Sequence, residues 1–245
     1  LFKSLDSYKP LVPHALPNDE DTPMIYFYNS MGKLGHIQRE LDWKMFDFCR
    51  LQHITYNYIL GREKAMDEYA EKNKEYLQSA NDQSMEGLIA VRQREAMMGE
   101  TASNWQTFQF SNQMIVVGLW ALAEQTLGFV YKSMYSQINN VQESSVKVPY
   151  KFDDFKKKFN LMGINIEQLD TYQDADECRT LNNTIKHGHL IEGHIVQFDY
   201  FIQHQGKRIL DVEFELQRYV KGVVQFLSSL IEQGNQILDP SHPKN

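Results

Sequence analysis

The residues best suited to chemistry lie together in Asn182-Asn183-Thr184-Ile185-Lys186-His187-Gly188, with Arg179 just upstream. His187 closes a helical run. It is either a general base, since neutral imidazole accepts protons near pH 7, or a hydrogen-bonding residue favoured there as a cation by the helix dipole. Asn182 and Asn183 either line a polar cleft or satisfy backbone groups between helices. Two adjacent asparagines within a helix cost propensity, which tilts the pair toward function. Arg179 either binds phosphate or pairs with Asp176 or Glu124, the pairing being the commoner fate of a single helical charge. At 100° per residue Arg179 lies about 60° from Asn182, about 80° from His187 and roughly 12 Å from His187 along the axis. A long arginine side chain closes much of that gap toward a bound phosphate. Glu124 sits in an apolar stretch where an unpaired charge is costly, so a partner on the same helix as His187 is expected, through Arg179, Asn183 or Lys186.

Other chemistries find less support. His187, His189 and His194 invite zinc, but their spacing matches no standard structural site and no cysteine lies nearby, so no metal site is read. Lys156-Lys157-Lys158 between Phe155 and Phe159 is either an RNA contact or the solvated face of an amphipathic helix. A P-loop, a G-x-G-x-x-G and a Ser-His-Asp context are all absent, and no cofactor is implied.

The elements that position these residues follow from periodicity. Residues 1–34 hold Pro10, Pro13, Pro17 and Pro23, four of the seven prolines, a density that prevents continuous helix. They read as an extended arm, with Met24-Ile25-Tyr26-Phe27-Tyr28 lying against the core. Residues 35–238 then read as a single domain and 239–245 as a tail. Ile37, Leu41, Met45, Phe48 and Cys49 recur at helical steps. A break is expected near Gly61, followed by a charged helix from Lys64 to Leu77, a polar turn over Ser79 to Gln83, and renewed helix from Met85. Thr101 to Asn139 has almost no polar face in its middle, which marks a central helix buried on several sides.

Val141 to Tyr150 reads as a linker, Phe152 to Asn160 as a short helix, and Asn165 to Asp170 as a further turn. Asp174 to His187 is the helix carrying the polar signature, with Asp174 or Gln173 as its N-cap and Gly188 as a left-handed stop. Ile195, Phe198, Tyr200 and Ile202, then Ile209, Val212, Phe214 and Leu216, flank Gln205-Gly206-Lys207 and predict a β-hairpin. A last helix, Gln217 to Leu238, turns Val220, Val223, Val224, Leu227 and Leu230 inward before Pro240 ends it. The fold class is therefore mainly all-α, a bundle around a long apolar helix with a small hairpin before the final helix.

Cys178-Arg179-Thr180-Leu181-Asn182-Asn183-Thr184-Ile185-Lys186-His187-Gly188, preceded by the apolar helix with Leu119-Trp120-Ala121-Leu122-Ala123-Glu124, resembles the HEPN superfamily. In that family the functional helix ends in an Arg, four to six residues and a His. The likeness covers about residues 35 to 238 in layout and implies a HEPN-like helical bundle. It implies a metal-independent endoribonuclease in which His187 takes the proton of a ribose 2′-OH and a charged donor stabilises the phosphorane. It also implies a homodimer with a shared cleft and, for toxin or defence effectors, a cognate antitoxin or partner protein. The chain keeps the His but has Asn182 five residues earlier, where the Arg is expected. Arg179 stands outside the usual spacing. Losing such a donor costs roughly 2.7–4 kcal/mol, which favours a cleft that binds RNA or a nucleotide over one that cuts. On that reading His187, Arg179 and Asn182 form the catalytic or degenerate catalytic set, and Asn183, Lys186 and Glu124 are binding residues. A helical interaction scaffold is the third reading.

Composition bounds these options. A net charge of −7 argues against coating nucleic acid by bulk electrostatics, though not against a local basic site. Cys49 and Cys178 read as buried free thiols. The most apolar run, Met114 to Ala123, falls short of the ~20 residues of a membrane helix, so no membrane partner is expected and a cytoplasmic location is the default.

Overall fold

The structure is a computed structural model that describes residues 11–12, 32–78 and 84–242. The expected packing of Met24–Tyr28 and the polar turn at 79–83 fall outside these residues. The elements are α1 (Gly35–Lys72), α2 (Lys74–Gln78), α3 (Met85–Asn139), α4 (Phe152–Leu161), α5 (Tyr172–His187), α6 (Asp199–Ile202) and α7 (Leu216–Leu238). Short 3-10 turns separate several of them. The chain divides into two compact units, one holding Leu51–Asn112 and the other Leu11–Arg50 with Gln113–Asn245.

The larger unit contains every candidate residue. Its α3 segment buries Leu119, Trp120, Ala123, Leu127, Val130 and Met134, as the nearly all-round apolar pattern predicts. Fully burying one such side chain contributes about 1.5–3 kcal/mol. Among the described residues α3 is the helix long and apolar enough to cross a membrane, carrying an 18-residue window of mean hydropathy 1.5. It thus passes a length test that the short run from Met114 to Ala123 fails. The fold buries 61% of that window, and core helices pass the same test.

Successive turns of α7 bury Val220, Val223, Val224, Leu227, Leu230 and Ile231, and α5, which packs against α7, buries Ala175, Cys178 and Leu181. The two helices approach so closely that a Cβ on Gly222 would lie 2.4 Å from the Cβ of Asp174. The Thr171 hydroxyl donates to the Gly222 carbonyl at 2.6 Å beside this crossing. At the other end of α7, Asn235 is buried and its Oδ1 accepts from the Leu34 amide at 2.7 Å, fixing the start of α1. Leu11 is buried, and Val12 exchanges both backbone hydrogen bonds with the Gln217 side chain.

The smaller unit is built from the described parts of α1 and α3 that it contains, with α2. No helix end falls at Gly61; α1 continues to Lys72, because one exposed glycine costs only about 1 kcal/mol of helix propensity. Tyr56 packs edge-on against Phe108 at 5.9 Å, and Asn104 donates to Glu63 at 2.5 Å. Arg62 pairs with Glu100.

The predicted hairpin does not form. Among the described residues there is no strand. The segment instead makes a 3-10 turn at Gly193–Gln197, the short α6, and another 3-10 turn at Ile209–Asp211. Of its alternating apolar residues Ile195, Ile209, Val212, Phe214 and Leu216 are buried, whereas Phe198 and Tyr200 are half-buried and Ile202 is exposed, its neighbour Phe201 turning inward instead. Tight turns reach the same burial because each 3-10 turn also returns a side chain to the core every few residues. What survives of pairing is one antiparallel bridge between Leu190 and Arg208.

Candidate functional site

α5 presents Arg179, Asn183 and His187 on successive turns, so their side chains form one stripe along the helix. All three line a single open cleft of about 730 Å³ in the larger unit. The first turn of α4 adds Asp153, and the segment after α5 adds His189, Glu192 and His194. Asn183 and His187 are exposed, and Arg179 is half-buried.

Arg179 is held from two sides. Its Nε donates to Asp176 Oδ1 at 2.7 Å, and its guanidinium carbon lies 5.2 Å from the centroid of the Phe152 ring. Among the described residues its two terminal Nη groups have no protein acceptor, so they are available to a ligand. Phe152 is anchored against Trp120, 5.4 Å between centroids, and stacked on Tyr172 at 6.5 Å. α4 therefore positions the cation that α5 carries.

Asn182 is placed differently. It is 1% exposed and does not line the cleft. Its Nδ2 donates to Asn183 Oδ1 at 3.3 Å, while its own Oδ1 is buried with no hydrogen-bond partner. Lys186 is exposed on the last turn, outside the cleft lining. Glu124 is not buried and does not pair with α5. It is exposed on α3 and accepts a 3.0 Å hydrogen bond from the Trp120 indole one turn earlier. The apolar run around it is real, but Glu124 occupies the helix's outer edge.

The ends of α5 also differ from the sequence reading. The N-cap is Thr171, in the left-handed region at φ 56°, with no side-chain cap. Asp174 is diverted into an ion pair. Gly188 is extended, at φ −133° and ψ 170°, so left-handed geometry is not why glycine stands there. A Cβ would instead lie 3.1 Å from the Thr184 carbonyl oxygen, whose acceptor role for the Gly188 amide ends the helix.

The Lys156–Lys158 run supplies no free basic patch at Lys156. That side chain is half-buried, donates to Glu167 at 2.9 Å and lies 5.6 Å from the Phe152 centroid. Lys157 and Lys158 are exposed, while Phe155 and Phe159 are core residues. Among the described residues no three His, Cys, Asp or Glu side chains converge on one point as metal ligands.

Sequence reasoning missed the strongest charge cluster. Arg218, in the first turn of α7, is bound by Asp174, Glu177 and Glu215, and the buried Tyr219 hydroxyl donates to Glu177 at 2.7 Å. Burial and the adjacent Glu177 carboxylate both push the Tyr219 phenol up, so it stays protonated. A neighbouring cleft of about 520 Å³ is lined by these carboxylates and Asp199. Its arginine already spends Nε and both Nη groups on carboxylates, which leaves no uncommitted cation among the described lining residues to draw an anion. The signal available in the sequence was a glutamate, Glu177, directly beside the core-facing Cys178.

Of these two clefts, the one along α5 brings together an arginine with uncommitted Nη groups, an exposed amide and an exposed imidazole, with Asp153 and Glu192 in the same lining. No family model, curated protein or solved structure matches this chain, and the assignment of the site rests on this geometry.

Proposed function

We propose that this chain is a HEPN-like protein whose α5 cleft binds RNA or a nucleotide through its phosphates. The observation that carries the reading is the shared exposure of Arg179, Asn183 and His187 on one cleft wall. Arginine and asparagine supply donors to phosphate oxygens, and contacts of this kind position nucleic acid without reading its sequence.

Binding is favoured over cutting for two reasons. The position five residues before His187 is the buried Asn182. The nearest arginine stands two turns away, roughly 12 Å along the axis, with one donor already committed to Asp176. A metal-independent endoribonuclease is the second reading, supported by His187 being exposed inside the cleft. In that chemistry His187 takes the 2′-OH proton, the alkoxide attacks the adjacent phosphorus, and the bond to the 5′-oxygen breaks to leave a 2′,3′-cyclic phosphate and, after that oxygen takes up a proton, a 5′-hydroxyl. A cleft shared by two copies belongs to this reading, and sedimentation at high micromolar concentration tests for the dimer.

The deciding experiment uses end-labelled single-stranded and structured RNA with wild type, Arg179→Ala and His187→Ala, all in excess EDTA. Retention of RNA by wild type that Arg179→Ala weakens about tenfold or more is the expected result. Cutting that His187→Ala abolishes would promote the second reading. Folded wild type that neither retains nor cuts any RNA would remove both.

A further inference from the structure

The segment that follows α5 adds two histidines, His189 and His194, to the lining of the α5 cleft. We propose that His189 and His194, with His187, make the cleft a proton-gated site for the phosphodiester backbone of single-stranded RNA. The proposal rests on the reading that this cleft takes RNA and adds how its affinity is controlled.

The permanent charges of the cleft are poorly suited to an anion. Asp153 and Glu192 line it against Arg179 alone, and Arg179 is itself paired with Asp176. With its histidines neutral, the cleft repels phosphate about as much as it attracts it. Histidine is the side chain whose charge changes between pH 5 and 8, and a protonated ring offers two donors and a positive charge where a neutral ring offers one donor. Protonating the three rings turns a net acidic lining into a basic one. His187 also ends α5, where the helix dipole favours a cation.

The backbone that carries His189 and His194 is held. Ile191 and Ile195 are fully buried on either side of His194. The segment is clasped to the next turn by three backbone bonds: Ile191 N to Lys207 O at 2.9 Å, Gly206 N to Ile191 O at 3.0 Å, and Ile209 N to His189 O at 3.0 Å. The charges around them do not replace the gate. Lys186 is exposed outside the lining. Arg208 on the clasping segment is occupied by Asp211, and Lys207 lies beside His204. On α6, Asp199 faces the acidic neighbouring cleft. Asp153 lies 3.6 Å from Lys156, which is itself bound more closely by Glu167 at 2.9 Å, so Asp153 and Glu192 both stay exposed carboxylates opposing an anion.

The test measures binding of a fluorescent oligoribonucleotide without terminal phosphates, whose phosphodiesters stay ionised throughout, at fixed ionic strength from about pH 8 to about pH 5.5. Wild type should bind about tenfold more tightly at the acid end, and His189→Gln/His194→Gln should bring the two ends within about threefold. Glu192→Gln should tighten binding at the alkaline end, and circular dichroism at each pH verifies that every variant is folded. Equal wild-type affinity across the range, or an unchanged pH ratio in the double variant, overturns the gate and leaves the RNA-binding reading standing. No binding at any pH overturns both.

Discussion

Arg218 grips both carboxylate oxygens of Glu177, with Nη2 2.5 Å from Oε1 and Nη1 3.1 Å from Oε2. This fork joins the first turn of α7 to the middle of α5. Glu177 and Arg179 point about 200° apart around the helix, so the fork fixes the back of α5 while the cleft residues face outward. The stability of the pair and the presentation of the site are therefore linked.

Removing one partner of such a pair leaves a buried charge unopposed. Glu177 is 7% exposed at its side chain, so Arg218→Met is expected to cost about 3–5 kcal/mol. Replacing both, Arg218→Met with Glu177→Gln, should recover part of that loss because no charge is stranded. Urea unfolding of the three proteins measures this, and a single variant within about 1 kcal/mol of wild type would show that water already screens the pair.

Asn182 and Asn183 are adjacent in sequence and opposite in role. Asn183→Ala should weaken RNA retention about three- to tenfold with little change in stability, because its side chain is exposed on the cleft. Asn182→Ala should leave retention unchanged while altering stability by about 1–2 kcal/mol, since that side chain is buried beside the core. Parallel effects of both substitutions on retention would mean that the cleft wall is not the binding surface.

Helical periodicity is read correctly wherever the core decides the structure. Ile37, Leu41 and Met45 on α1, the middle of α3, and Val220 to Leu230 on α7 are all buried as their spacing requires. The reading fails where two structures bury the same pattern. Ile195, Ile209, Val212 and Phe214 are spaced as a hairpin requires, yet short turns and α6 bury them as well, with Phe201 inward in place of Ile202, and only tertiary contacts choose between the two. At the site, counting back from His187 selects Asn182, but helix geometry puts Asn183, four residues before it, on the same face. The Arg218 cluster was hidden because its members lie 41 and 44 residues apart, and no local pattern connects them.

Both cysteines should be inert in the folded protein. Cys49 is buried and burial pushes its thiol up to about 12; Cys178 is fully buried and is raised further by burial and by the adjacent Glu177. The thiolate is the reactive form. Labelling by a thiol reagent at pH 8 should therefore follow global unfolding across a urea series. Fast labelling of one thiol without denaturant would reveal local opening of α1 or α5.

Asp42 gives the fold a pH dependence whose sign can be worked out. Burial raises its carboxyl to about 6, against a partial opposing effect from the Gln38 amide, which donates to it at 2.9 Å. Because the folded state holds this proton more tightly than the unfolded chain, this residue's contribution to stability rises as pH falls through about 6 toward the ordinary carboxylate range near 4. Above pH 6 the folded protein carries the cost of an ionised, partly buried carboxylate. Asp42→Asn keeps an oxygen to accept from Gln38 and removes the charge. It should stabilise the protein by about 1 kcal/mol at pH 7.5, a value reduced for the group's partial exposure. The advantage should shrink as pH falls through about 6 to about 4 and vanish by about pH 3, below the unfolded value, where wild-type Asp42 is protonated in both states. Thermal unfolding of both proteins at each pH checks this, since all other titrating groups cancel in the difference. An advantage that stays constant with pH would assign the effect to packing, and a destabilised variant at pH 7.5 would show that the ionised carboxylate has a stabilising role.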